Sequence, residues 1–424
     1  MLRIVSEALE SEIKALHQRN TASPAIYKQL TQMAKAIQTH GDRALLDYTS
    51  QFDQCTFGSG RELLVHDRQS AYDQVSDTAI AAIQRAITNI RHYHQHQVPK
   101  NWRKSGGPGV RYGAQYRPLD AVGLYVPGGR APLVSTAIMT AVPAAIAGVP
   151  RMVLATPPRP DGTIHPAIIV AADLAGVHEI YKLGGAQAVF GLAYGTESIQ
   201  AVDKIVGPGN QYVTQAKQMV YGTVDIDKPA GPSEVLIAVE SIDYAARAAA
   251  DLLCQLEHDP LAVGCVVSTQ LATLQAIRTE VVHQLPERRH RKTIEAALAH
   301  AALFHVKHTR EVLQVINHVA SEHLVLLRDD FEDLLPQIRH AGSIFCGPHT
   351  PVTAGDYYAG PNHVLPTSGS ARFASPLGVM DYMKYNAILA YEPTALANAE
   401  DDLAVLTDLE GLEAHFNAVS VRLS

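Results

Sequence analysis

From Ala121 onward, short apolar segments alternate with alanine-rich helical stretches, and this alternation constrains the fold more than any other feature of the chain. Val122 to Val126, Met152 to Ala155, Ile205-Val206 and Val235 to Val239 read as buried strands, the pattern of α/β units on a parallel sheet. Their ends run into glycine-rich turns: Pro127-Gly128-Gly129, Gly184-Gly185 and Gly207-Pro208-Gly209-Asn210. In open α/β sheets, such carboxyl-end turns are where ligands bind. A second series follows, with Ser241 to Glu257 as a helix, Ala262 to Val267 as a strand and Leu271 to Leu285 as a helix. The texture repeats, yet no sequence repeat of fixed period accompanies it. Ser343 to Cys346 reads as another strand. The stretch from Gly347 to about Ala374 reads as a long loop rich in Gly, Pro, Ser and Thr, and loops of that length are usually functional or disordered.

Ahead of this series the chain looks helical. Ser23-Pro24 is a cap with a first-turn proline, after which Ile26, Leu30, Ala34 and Ile37 share a face. Ser76 opens a second helix with Ile80, Ile83, Ile87 and Ile90 as its buried stripe. The final fifty residues are helix-prone and too few for a core of their own, so they must pack on something else.

The chain has 424 residues, enough for two to three domains at about 150 residues each. A net charge of -7, with one short basic cluster at Glu287 to Lys292, argues against a nucleic-acid partner. Met1 to Leu16 carries Glu7, Glu10, Glu12 and Lys14 and is not read as a secretory signal. The apolar stretch Ala137 to Ala155 is broken by Pro143, Pro150 and Arg151, so no membrane span is expected. Cys55, Cys254, Cys265 and Cys346 show no C-x-x-C spacing and read as free thiols of a cytoplasmic protein.

Four local patterns carry chemistry. In Gln255-Leu256-Glu257-His258 two potential ligands lie three residues apart on one helix face, although a helix end with a capping histidine is the commoner meaning. Asp356 and His363 bracket flexible glycines in the long loop, where an Asx turn competes with a ligand role. Ser321-Glu322-His323 sets an acid beside a base, suited to two different proton transfers; the plain alternative is a helix start capped by Ser321. His415 alone reads as a surface histidine. His92, His94 and His96 imitate a metal tract but lack a nearby carboxylate and read as solvated. No G-x-G-x-x-G follows a strand; a nucleotide phosphate would best meet backbone N–H groups at the helix start after Gly207-Pro208-Gly209-Asn210.

Taken in order, Gly123-Leu124-Tyr125-Val126-Pro127-Gly128-Gly129, Gly207 to Asn210, Pro229-Ala230-Gly231-Pro232-Ser233-Glu234, Gln255 to His258, Ser321 to Leu324, and Gly355-Asp356-Tyr357 through Asn362-His363-Val364-Leu365-Pro366-Thr367 resemble histidinol dehydrogenase over nearly the whole chain. The resemblance implies a zinc- and NAD-dependent enzyme that oxidises L-histidinol to L-histidine through histidinal, with two NAD consumed. It implies one zinc per subunit, held by Gln255, His258, Asp356 and His415, and substrate contacts from Ser233, His323, His363 and Glu410 together with those ligands. It further implies NAD contacts at Tyr125, Gln187 and Asn210, and catalysis by Glu322 and His323.

The implied fold is α/β, with two incomplete Rossmann-like, aldehyde-dehydrogenase-like domains. Residues 1–120 form an N-terminal helical part packing with 237–374, residues 121–236 form the NAD-binding domain, and 375–424 form a dimerisation tail. In the implied homodimer the tail crosses to the partner subunit, supplying His415 and Glu410. Rival readings are a relative acting on another small alcohol such as a sulfonated diol, a thiol-dependent aldehyde dehydrogenase using Cys254 or Cys346, and a silent metal- or nucleotide-binding protein.

Overall fold

The strands sort into two parallel sheets and one antiparallel sheet. The structure is a computed structural model that describes residues 2–17, 24–128, 132–229 and 231–424. Ser23, Gly129 and Ala230 of the sequence motifs fall outside those residues. The first sheet runs β6 (Glu179–Lys182), β5 (Arg151–Thr156), β4 (Ala121–Tyr125), β7 (Lys204–Val206), β8 (Asp225–Ile226). The second runs β1 (Arg3–Val5), β11 (Ala302–His305), β10 (Val263–Ser268), β9 (Glu234–Val239), β12 (His323–Leu327), β13 (Ser343–Cys346). Apart from the extra edge strand β1, both have the order third, second, first, fourth, fifth. All their pairings are parallel.

Each sheet is covered on both faces, which is why its central strands read as largely apolar runs rather than alternating. Helices Asp77–Gln95, Val134–Ala147 and Pro166–Leu174 pack one face of the first sheet; Pro24–Asp53, Gly185–Tyr194 and Gln211–Val220 pack the other. Helices Ala245–Leu256, Leu271–Gln284 and Arg291–Ala297 cover one face of the second, and Leu9–His17 with Thr309–Val319 the other. Fully burying each Val, Leu or Ile contributes about 1.5–3 kcal/mol, so these four layers carry the stability of the fold.

Residues 1–120, expected to pack with 237–374, divide. Strand β1 and helix Leu9–His17 join the second sheet, whereas the helices from Pro24 to Gln95 lie on the first, because their apolar stripes meet its helices. This stretch is also not all helical: β2 (Trp102–Gly107) and β3 (Val110–Pro118) pair with β14 (Met383–Tyr391) in the antiparallel sheet. The tail therefore begins as a strand before its helices Pro393–Asn398, Glu400–Leu409 and Glu413–Ser420. The long loop after β13 holds a short helix, Val352–Tyr357. Ser321 does not start a helix, since the register of β12 on β9 claims His323 onward. His94 is buried on the inner face of its helix with Nδ1 2.8 Å from the Ile90 carbonyl, while His92 and His96 are exposed.

Residues 227–233 join the carboxyl end of β8 to the amino end of β9. Seven residues reach at most about 25 Å, so the carboxyl edge of the first sheet is tied to the amino edge of the second. Among the described residues no helix is long and apolar enough to cross a membrane.

Candidate active site

At the carboxyl edge of the first sheet the turns after β4, β5, β6 and β7 enclose a cavity of about 670 Å³. Tyr125, Gln187 and Asn210, the three expected NAD contacts, all line it. The cavity falls where β4 and β7 send their connections to opposite faces, the switch point at which open α/β sheets form crevices. The turn at Gly207 is built tightly. Its φ is +118°, and a methyl group there would run into the Tyr125 carbonyl oxygen. The Gly207 N–H donates to Asp227 Oδ2 at 2.9 Å, and buried Lys217 donates to the Gly207 carbonyl at 2.8 Å while pairing with Asp227. Asn210 caps the helix it precedes, accepting from Tyr212 N and Val213 N at 3.0 and 3.1 Å. Two N–H groups expected to face a phosphate are thus already satisfied by Asn210 itself. Tyr125 Oη accepts from the Gly185 N–H at 3.0 Å, and burial raises its hydroxyl pKa.

Across the cleft, at the amino edge of the second sheet, β9 and β12 present Glu234, Glu322 and His323 side by side, all buried. Residue 234 holds both neighbours through its backbone: its N–H donates to Glu322 Oε2 at 2.8 Å, and its carbonyl lies 3.1 Å from His323 Nδ1. On its other side His323 Nε2 lies 3.2 Å from Asp356 Oδ1, and its ring stacks on Phe345. Burial opposes the charge on His323, but Glu322 and Asp356 outweigh it and push the imidazole up to about 10. Burial likewise opposes ionisation of Asp356, yet the bond from His323 and the fields of His363 and His258 hold its carboxyl below the usual range. Glu234 goes the other way: burial, then the neighbouring Glu322, push it up to about 8. Its Oε1 accepts from the Ser368 N–H at 3.0 Å, and its buried Oε2 has no partner.

His363 joins the two halves. Its Nδ1 lies 2.8 Å from the Asp356 carbonyl, its Nε2 3.3 Å from Thr136 Oγ1 on the first helix after β4, and burial lowers its pKa. The last turn of helix Ala245–Leu256 lies against Val352–Tyr357, with Cys254 Sγ 3.7 Å from Thr353 Oγ1, so Gln255 and Asp356 sit on adjoining elements. Gln255 is buried with Nε2 unpartnered, and His258 is exposed. Among the described residues no three His, Cys, Asp or Glu side chains cluster at metal-ligand spacing. Glu410 and His415 are exposed on the tail, whose helices Glu400–Leu409 and Glu413–Ser420 bury no residue.

A sequence profile of the histidinol dehydrogenase family matches residues 16–423. The chain is 45% identical over 429 residues to a histidinol dehydrogenase from Thermosynechococcus vestitus, with all of both chains covered. The chain belongs to the histidinol dehydrogenase family. The histidinol dehydrogenase structure from Elizabethkingia anophelis superposes with a TM-score of 0.94 at 35% identity, covering 100% of this chain and 98% of that one. A betaine aldehyde dehydrogenase from Staphylococcus aureus shares the fold, with a TM-score of 0.50 at 12% identity over 91% of this chain and 88% of that one.

Within this member of the family, three groups in and around the site have no role assigned by the sequence. Glu234 stands inside a quoted motif, but nothing local marks its carboxyl as buried and unpartnered. Thr136 and Asp53 lie in ordinary helical surroundings. Asp53 ends helix Pro24–Asp53, lines the cavity and accepts from Gln187 Nε2 at 3.2 Å, a pairing across 134 residues that no local pattern signals. The thiols are not activated: burial pushes Cys254 up to about 11 and raises Cys346 as well, which disfavours a thiol nucleophile.

Proposed function

We propose that this chain is an L-histidinol dehydrogenase of histidine biosynthesis, an NAD-dependent cytoplasmic oxidoreductase that carries the alcohol through histidinal to the carboxylate. The observation that carries the reading is the buried acid–base pair Glu322 and His323, linked through Asp356 and His363 to Thr136 on the helix that follows Pro132 of the cavity wall.

The residues present suit a zinc ion held by Gln255, His258 and Asp356, with His415 as fourth ligand. No hydrogen bond holds the nitrogen of the buried Gln255 carboxamide, so the group is free to turn its oxygen, the atom that ligates zinc, toward the ion, and Asp356 is kept in its carboxylate form. An all-N/O donor set is compatible with zinc and suits nitrogen ligands of the substrate. When bound, the ion would supply a fixed point for the imidazole and amine of histidinol, so that orientation lowers the barrier.

An Asp356 committed to that role no longer helps hold the His323 imidazole protonated, leaves Glu322 and the Glu234 carbonyl as its partners, and opens a neutral Nε2 to the alcohol. His323 then takes the hydroxyl proton while hydride passes to NAD, giving the aldehyde. Once His323 has passed its proton to solvent, Glu322 takes a proton from water as it adds to the aldehyde and returns one to the aldehyde oxygen, and His323 then takes a hydroxyl proton of the hydrate while a second NAD, when bound, would accept the hydride. Ser233, His363 and Glu410 orient the substrate, and the closed cleft retains histidinal from side reaction.

The tail supports a homodimer. Val405, Leu406 and Leu409 are exposed on a helix that buries nothing, and such apolar patches mark interaction sites. A partner covering them places its own His415 and Glu410 in this cleft. Two inactive homodimers, His323→Ala and His415→Ala, would then regain one working site per mixed dimer after exchange; no recovery removes the shared-site reading.

The test of the whole reading is NADH formed per L-histidinol, before and after chelation and zinc return. Two NADH that disappear and reappear support it, and none overturns it. Glu322→Gln is expected to stop at one NADH with aldehyde accumulating, and equal loss of both oxidations would remove the water-activating role.

A further inference from the structure

We propose that Asp53 receives the adenosine ribose of the dinucleotide and rejects a 2′-phosphate, setting the preference for NAD over NADP. The proposal rests on the reading of the first-sheet cavity as the dinucleotide site. Doubly wound dinucleotide folds usually take the ribose diol on a carboxylate beyond the glycine turn, near the end of the second strand. Here the second strand, β5, ends at Thr156 and runs into Pro157-Pro158, with no acid in that position. The cavity wall nevertheless contains one carboxylate among its described residues, and it comes from Asp53, on a helix outside the strand series.

Asp53 is an expensive residue to keep there. It is half-buried beside apolar Leu30, Met33 and Phe52, and burial pushes its carboxyl up to about 6 despite the bond from Gln187. It also stands in the last turn of a helix, where the exposed carbonyl ends disfavour negative charge. One amide donor leaves most of its acceptor capacity open. A ribose diol offers two O–H donors in a geometry that one carboxylate can accept, while Leu30 and Met33 offer an apolar bed for adenine. A 2′-phosphate would instead bring like charge beside Asp53, a repulsion that Arg159, the cation in the same wall past β5, would have to offset to admit NADP.

Polarity along the cavity agrees. Pro127, Gly128 and Pro132 also line the cavity, just before the helix whose Thr136 touches His363, whereas Asp53 comes from a helix ahead of the strand series. That part of the wall is linked to the acid–base cluster through Thr136, His363 and Asp356, so the nicotinamide is assigned there and the adenosine to Asp53.

The experiment measures kcat and KM for NAD, NADP and 2′-deoxy-NAD with L-histidinol, plus NADH binding by fluorescence, for wild type, Asp53→Asn and Asp53→Ser. The wild type should discriminate against both analogues. Each variant should raise KM for NAD by about 10-fold, the effect of one lost hydrogen bond to a charged acceptor, with the change in KM rather than kcat. Each should also lose discrimination against 2′-deoxy-NAD and narrow the NAD-to-NADP ratio by at least that factor. An unchanged ratio in both folded variants, with NADH binding intact in the wild type, removes Asp53 alone. Wild-type protein that binds no NADH removes the cavity reading and this proposal with it.

Discussion

The two halves of the molecule share a strand order but use opposite edges of their sheets. In the first half the crevice between β4 and β7 at the carboxyl edge is open and forms the cavity. In the second half the corresponding crevice between β9 and β12 is closed. There buried Arg328 reaches from the end of β12 to Glu240, just past β9, at 2.7 Å and to Asp330 at 2.8 Å, and Glu240 also accepts from Gln270 Nε2 at 3.3 Å. The second half places its chemistry at the amino edge, where Glu234, Glu322 and His323 meet Asp356. Strand order alone therefore does not locate a site. The short 227–233 connection bears on it: it ties the amino edge of the second sheet, with its buried acid–base cluster, to the carboxyl edge of the first, with its cavity.

That division is open to test. Its strongest form is His323→Ala, which should lower kcat by about 10²–10⁴-fold, the usual worth of a positioned acid–base group, while leaving NADH affinity unchanged. A parallel loss of NADH binding in a titration would break the division.

Gly207→Ala attacks the other half. A methyl group at φ +118° against the Tyr125 carbonyl should cost about 1–3 kcal/mol of stability, read as a lowered melting temperature, together with weakened NADH binding. Normal cofactor affinity in a folded variant would mean that this turn does not shape the cavity.

A smaller effect sharpens the account of the second half. Glu234 titrates at about 8 when folded, against an ordinary 4.5. Between those values the unfolded chain is ionised while the folded one holds its proton, so folding binds more protons and stability falls as pH rises. Glu234→Gln should flatten that slope between pH 5 and pH 8 in thermal melts, and an unaltered slope would show that Glu234 is not the buried neutral acid described here. The smallest effect is expected from Cys254→Ser: with its thiol pushed up to about 11, kcat should change little. A large loss would reinstate a thiol mechanism.

Much of this architecture is legible in the chain. Val122 to Val126 and Val235 to Val239 announce buried strands because helices cover both faces, and the motifs that resemble the family stand as short contiguous words. The sequence signals fail where a tertiary partner takes over. Ser321-Glu322 has the composition of a helix start, but pairing of β12 with β9 extends the backbone there. His94 looks solvated among charged and aromatic neighbours, yet the helix turns it inward beside Ile90. Gly207 to Asn210 looks like a phosphate cradle, yet Asn210 occupies two of its N–H groups.

What the sequence determined by itself is local: the periodicities that make strands and helices, the turn glycines, and the short motifs that mark the family. The tertiary structure decided which of those words share a site. Asp53 meets Gln187, His363 meets Thr136, and residue 234 holds Glu322 and His323, across separations of 134, 227 and about 90 residues. Contacts of that span leave no periodic trace, because each is fixed by sheet register and by a connection of seven residues rather than by the chemistry of its neighbours along the chain.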